Sequence, residues 1–125
     1  MKVLIVDDNE DCILLLRQTL DSIPSVEVTA ASSVAEAWWH LTAPKTTFHL
    51  LITDLSMPML SGMDLIQRIR SCPSHKDLRI VLCTAVADRK IIELCAHLDV
   101  SQYIVKPFNI AILINKIKLA AGLPP

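Results

Sequence analysis

Four short apolar runs in this chain each stop at a residue able to do chemistry. Val3-Leu4-Ile5-Val6 runs into Asp7-Asp8, and Leu50-Leu51-Ile52-Thr53 runs into Asp54. Residues 78–83 lead to Thr84, and Tyr103-Ile104-Val105 leads to Lys106. Taken singly, each has an ordinary explanation. A strand-end Asp is often a turn residue or helix cap, Thr84 alone reads as a cap, and Lys106 alone reads as a surface lysine. Taken together they form a set. Three carboxylates gathered at one edge repel one another unless a cation sits among them. Carboxylates, a main-chain carbonyl and water suit a hard divalent ion, Mg²⁺ first and Mn²⁺ as a substitute. A lysine adds a mobile ammonium, and a threonine adds a hydroxyl able to donate to an anion. A carboxylate nucleophile, a metal, an ammonium and a hydroxyl are the parts of phosphoryl transfer, with Asp54 attacking phosphorus.

Those residues act together only if the strands carrying them lie side by side with their carboxyl ends aligned. The pattern supports this. Apolar strand runs at 3–6, 26–30, 48–53, 78–83 and 101–105 alternate with helical spacing over about 10–20 and 33–41, after Gly62 up to the break at Cys72, after the fourth strand through about Leu98, and over about 109–121. Ser33-Val34-Ala35-Glu36 has the form of a capping box that opens the second helix. Five strand–helix alternations predict an α/β fold, a doubly wound five-stranded parallel sheet with right-handed crossovers and five helices on its two faces. The carboxyl edge of such a sheet is its functional edge.

The bulk composition narrows the classes. At 125 residues and 52% hydrophobic content the chain is one domain able to bury a core. A formal charge of −1 gives no electrostatic case for direct nucleic-acid binding or an anionic membrane. No apolar run approaches the roughly 20 residues needed to span a bilayer. The first residues resemble a strand, not a signal peptide. The four cysteines, Cys12, Cys72, Cys83 and Cys95, lack CxxC spacing and are expected as reduced thiols of a cytoplasmic protein. His40, His49, His75 and His97 are scattered and suggest neither a zinc site nor a histidine relay.

The residues Val3-Leu4-Ile5-Val6-Asp7-Asp8-Asn9, Asp54-Leu55-Ser56-Met57-Pro58 with Gly62, Thr84-Ala85 and Tyr103-Ile104-Val105-Lys106-Pro107-Phe108 resemble those of the receiver domain of two-component response regulators. The likeness spans essentially the whole chain, with 1–121 as the domain and 122–125 as a tail or the start of a linker. It implies the flavodoxin-like strand order 2-1-3-4-5. It further implies that Asp54 is the phosphoacceptor. Asp8 and Asp54 would hold Mg²⁺ with the main-chain carbonyl of Ser56, and Asp7 would contact it partly through water. Thr84 and Lys106 would bind phosphoryl oxygens, and the Lys106–Pro107 bond is often cis in the family. The family's switch implies a Thr84 hydroxyl drawn to the phosphoryl group and Tyr103 turning inward. That would change the surface of the fourth helix, fifth strand and fifth helix. A histidine kinase or histidine phosphotransfer protein would be the donor. Catalysis would be limited to self-phosphorylation and slow self-dephosphorylation.

Some positions depart from the family pattern. Asp99-Val100 stands where many receivers have Gly-Ala, so the turn before the fifth strand is expected to differ. Ser56 and Val86 occupy the positions that tune acyl-phosphate lifetime, and neither side chain directs a water strongly, so decay is expected to be slow. Ile92, Ile112 and Leu119 add apolar residues where charge is common. With Tyr103 they suggest a partner surface, for which a homodimer is one occupant and a merely greasy helix face is the alternative. Trp38 is expected to pack inward and Trp39 to stay partly exposed. A haloacid-dehalogenase-type phosphatase also uses a strand-end Asp, but it needs a second Asp where Ser56 stands. A receiver that is never phosphorylated would not need the acidic set, and a nucleotide binder would need a glycine-rich loop.

Overall fold

The computed structural model describes residues 1–55, 61–85 and 88–124. Among them β1 (Lys2–Val6), β2 (Glu27–Ala31), β3 (Leu50–Asp54), β4 (Arg79–Thr84) and β5 (Gln102–Val105) alternate with five helices. These are α1 (Glu10–Asp21), α2 (Val34–Thr42), α3 (Gly62–Arg70), α4 (Arg89–His97) and α5 (Ile110–Ala121). All the strands are parallel, in the order β2-β1-β3-β4-β5, which places β3 and its terminal Asp54 at the centre.

The alternation of side chains along each strand builds two cores, one on each face. Leu4, Val6, Leu51, Ile80 and Leu82 pack with Val34, Leu41, Leu65, Ile66, Ile69 and Cys95 on the side covered by α2, α3 and α4. Val3, Ile5, Leu50, Ile52, Val81, Cys83 and Ile104 pack with Leu16, Leu20, Leu113 and Ile117 on the side covered by α1 and α5. The inner strands β1, β3 and β4 are buried on both faces and read as nearly unbroken apolar runs, whereas the edge strands β2 and β5 are partly exposed. The ends of all five fall a residue or two from the expected limits.

Local chemistry ends the helices. Asn9 caps α1 through its side-chain oxygen, which accepts from the main-chain N–H groups of Asp11 and Cys12. The box expected at Ser33–Glu36 closes differently. Ser33 accepts from the Glu36 N–H, but the Glu36 carboxylate reaches one residue further back, to the N–H and hydroxyl of Ser32. A full capping box forms instead at Ser61 and Asp64, opening α3.

At α5, Gly122 adopts φ 71° and the Leu123 N–H donates to Lys118 O, so the first two residues of the expected tail close the helix. Leu123 packs against the core there.

The turn before β5 keeps a left-handed residue despite the absence of glycine, with Asp99 at φ 56°. Asp is among the residues that tolerate this conformation best. Arg70, at the end of α3, holds the turn. Its guanidinium donates to the carbonyls of Leu98 and Asp99 on one side and of Lys76 and Leu78 on the other. The expectation of a different turn is therefore corrected: the backbone takes the left-handed form, clamped from α3.

Trp38 is half-buried against the α2–α3 face, with Arg68 5.2 Å above its ring, whereas Trp39 is 67% exposed. No disulfide links the cysteines; Cys83 and Cys95 are buried, and Cys12 and Cys72 half-buried.

Candidate functional site

At the carboxyl edge, β1 delivers Asp7 and Asp8, β3 delivers Asp54, β4 delivers Thr84, and Lys106 follows β5. Asp7 is 1% exposed, Asp54 8% and Thr84 3%, whereas Asp8 is open to solvent. Lys106 is the hub. Its Nζ lies 2.9 Å from Asp7 Oδ2 and 3.2 Å from Asp54 Oδ1, bridging the two buried carboxylates. The other oxygen of Asp7 accepts from the Asn9 N–H at 2.9 Å, so the cap of α1 also fixes the first carboxylate. Asn9 stood in the motif without an assigned role; its type, an Asx residue just before a helix, was the available signal.

The main chain locks this arrangement. The Lys106 N–H donates to Thr84 O at 2.8 Å, and the Lys106–Pro107 bond is cis. The Leu55 N–H donates to Cys83 O, and the Thr53 hydroxyl to Asp54 O at 3.0 Å. Gly62 begins α3 directly over the end of β3, donating its N–H to Leu55 O. A Cβ placed on Gly62 would collide with the main-chain carbonyl of Asp54, so glycine is required by close approach alone.

Burial, then the charge of Asp7, raises the pKa of Asp54, and Lys106 only partly offsets this. Burial works against the Lys106 charge, but the hydrogen bond and charge of Asp7, then the charge of Asp54, outweigh it and hold the ammonium above its ordinary value near 10.5. Cys12 lies beside the site, which its sequence position did not signal; burial and the charge of Asp7 raise its thiol pKa. Burial pushes Cys83 up to about 12. Neither thiol has the lowered pKa of a nucleophile.

One carboxylate oxygen from each of Asp7, Asp8 and Asp54 lies within 4.8 Å of the others. A donor set of hard oxygens without sulfur or imidazole fits Mg²⁺ or Mn²⁺. The main-chain carbonyl of Ser56, expected as a further ligand, and Val86, expected with Ser56 to tune the lifetime, lie outside the described residues. Beside Lys106 a cavity of about 470 Å³ opens between α1 and the segment after β5, lined by Asn9, Cys12, Leu15, Pro107 and Phe108.

Tyr103 stands half-buried on β5. Ile92 is 39% exposed on α4, and Ile112 and Leu119 are 52% and 60% exposed on α5.

A family model described as the response regulator receiver domain matches residues 3–118. Chemotaxis protein CheY1 of Helicobacter pylori is 33% identical over 122 residues, covering 98% of each chain. CheY-3 of Vibrio cholerae is 35% identical over 121 residues, covering 94% of this chain and 88% of its own. Among solved structures, the non-phosphorylated HemR receiver domain of Leptospira biflexa superposes with a TM-score of 0.85 at 27% identity, covering 99% and 96% of the two chains. Vibrio cholerae CheY4 superposes with a TM-score of 0.84 at 26% identity, covering 94% and 95%.

Proposed function

The chain belongs to the response regulator receiver domain family of two-component signalling, and from that premise we propose that it takes a phosphoryl group from a phosphohistidine donor onto Asp54. One observation carries this reading: the Lys106 ammonium bridges Asp7 and Asp54, with Asp8 alongside, at the carboxyl ends of adjacent strands.

An Asp54 carboxylate oxygen attacks phosphorus as the phosphorus–nitrogen bond to the donor imidazole breaks. The electron pair returns to the ring nitrogen. Lys106 moves from carboxylate to phosphoryl oxygen, keeping its charge where negative charge accumulates. Thr84 donates its hydroxyl to the same group. Asp7, Asp8 and Asp54, with the Ser56 carbonyl, would hold the Mg²⁺, which when bound neutralises charge on the phosphoryl oxygens. The cavity beside Lys106 gives the donor, a histidine kinase or histidine phosphotransfer protein, an open approach.

The output is a change of surface. Thr84 follows the phosphoryl group, Tyr103 turns inward, and the face carrying Ile92, Tyr103, Ile112 and Leu119 acquires its partner, a second copy or an output domain. Residues 1–121 act as the receiver, with Gly122 and Leu123 closing α5 against the core and only what lies beyond them left to serve as a tail or linker. The setting is the cytoplasm, where phosphohistidine donors act. In the described residues no helix is long and apolar enough to cross a membrane.

Incubation with acetyl phosphate and Mg²⁺, followed by intact mass, tests the reading. A single phosphoryl adduct is expected, absent from Asp54→Asn and from the wild type treated with chelator. Turnover of free phosphate esters without an adduct would replace the receiver reading with a phosphatase.

A further inference from the structure

Tyr103 is the sole tyrosine of the chain, and a cation from the neighbouring helix holds it. Lys116 of α5 donates from Nζ to the Tyr103 main-chain carbonyl at 2.7 Å. The same Nζ lies 4.8 Å from the centroid of the Tyr103 ring. One ammonium therefore grips both the backbone and the π-face of a single residue. The carbonyl fixes where the charge sits, and a ring that rotates about its Cα–Cβ bond must leave that charge. Both side chains are half-buried, where such a contact is screened less than at the open surface. None of the ion pairs among the described residues involves Lys116, so no carboxylate there competes for its charge.

We propose that Lys116 is a latch, a positioning residue that holds Tyr103 in its resting place and so sets the threshold of the switch. This rests on the reading of Tyr103 as the residue that moves. An interaction present in one of two states biases their equilibrium by its own strength. A cation over a half-buried tyrosine corresponds to about a two- to fivefold bias. Because coupling is reciprocal, loss of the latch tightens binding of a phosphoryl mimic by up to the same factor. Lys116→Met keeps the stem and removes the charge. Lys116→Arg keeps a cation able to stack on the ring.

A lone tyrosine gives one unambiguous set of ring signals in an aromatic carbon–proton spectrum. Spectra of the wild type, Lys116→Met and Lys116→Arg are compared with Mg²⁺, before and during titration with beryllium fluoride. The wild-type ring signals are expected to move on titration. Those of Lys116→Met should begin part-way along the same path and saturate at lower beryllium fluoride, by up to about fivefold, with Lys116→Arg returning toward the wild type. If the wild-type ring moves while Lys116→Met starts from the wild-type position with unchanged affinity, the latch is overturned and the switch reading stands. If beryllium fluoride binds and the wild-type ring does not move, the switch reading falls and takes the latch with it. Lys116→Gln serves the same comparison should Lys116→Met fail to fold.

Discussion

Asp54 is a carboxylate withheld from most of the water that would stabilise its charge. Burial comes first and the neighbouring Asp7 second in raising its pKa, with Lys106 as the partial remedy. A raised folded pKa means that the stability contributed by the protonated form is fully present below the ordinary value of 3.8 and is lost as pH rises through the folded value. At neutral pH without a divalent cation Asp54 therefore works against folding. Asp54→Asn should melt a few degrees above the wild type in chelator at pH 7, with the gap closing as pH falls below about 4. Mg²⁺ should close it from the other side by stabilising only the wild type. A thermal melt in which Asp54→Asn is the less stable protein at pH 7 would show that the pairing with Lys106 outweighs the burial. At this scale the site was legible because each residue closes an apolar run. Cys12 and Lys116 were not. Their roles depend on which helical turn faces the sheet edge, and helical spacing leaves that open among several residues.

Helix termini show where a motif can be read and where it cannot. Ser33 and Glu36 have the spacing of a capping box, but a carboxylate on a flexible stem can choose between neighbouring donors, and here it takes Ser32. Ser61 and Asp64 complete the box at α3, with a shorter acid than the usual motif. Both carboxyls accept hydrogen bonds from serine main-chain N–H and hydroxyl groups, which lower their pKa values. Lowered folded values give stability that is present above the ordinary range near 4 and lost as pH falls through the folded values. Ser61→Ala is expected to lower stability by about 1 kcal/mol in urea denaturation at pH 7. Acid should shrink that deficit, because the Ser61 hydroxyl donates to the Asp64 carboxylate only in the wild type, and a protonated Asp64 is a weaker acceptor. A deficit unchanged between pH 7 and pH 3 would remove the carboxylate from the account. Strand limits escaped reading for another reason. A strand buried on both faces offers no polar alternation to mark its ends, which shifted β4 to Arg79–Thr84.

The assembled molecule depends on contacts that no local pattern announces. Arg70, at the end of α3, ties that helix to the loop before β4 and to the turn before β5 through four carbonyls. Charge-assisted hydrogen bonds contribute about 1.5–3 kcal/mol each, and they share one side chain here, so Arg70→Met should cost about 2–4 kcal/mol in denaturant unfolding. Hydrogen exchange should show the loss concentrated around residues 98–101. A uniform change across the chain would mean that Arg70 acts through general packing instead. The overall topology was accessible from five alternations and one resemblance. The long-range clamp was not, because its partners lie up to 29 residues away.

The ion pair at the functional edge has a sequence separation of its own. Asp7 and Lys106 lie 99 residues apart, at the first strand and just past the last. Nothing nearer in the chain can substitute for that meeting, so the edge comes into being only when the sheet is complete. On the proposed reading, chemistry that needs Lys106 beside Asp54 is thereby denied to copies in which β1 and β5 have not yet joined the sheet. The arrangement would then act as a coincidence detector, admitting a phosphoryl group only onto molecules whose first and last strands have already found each other.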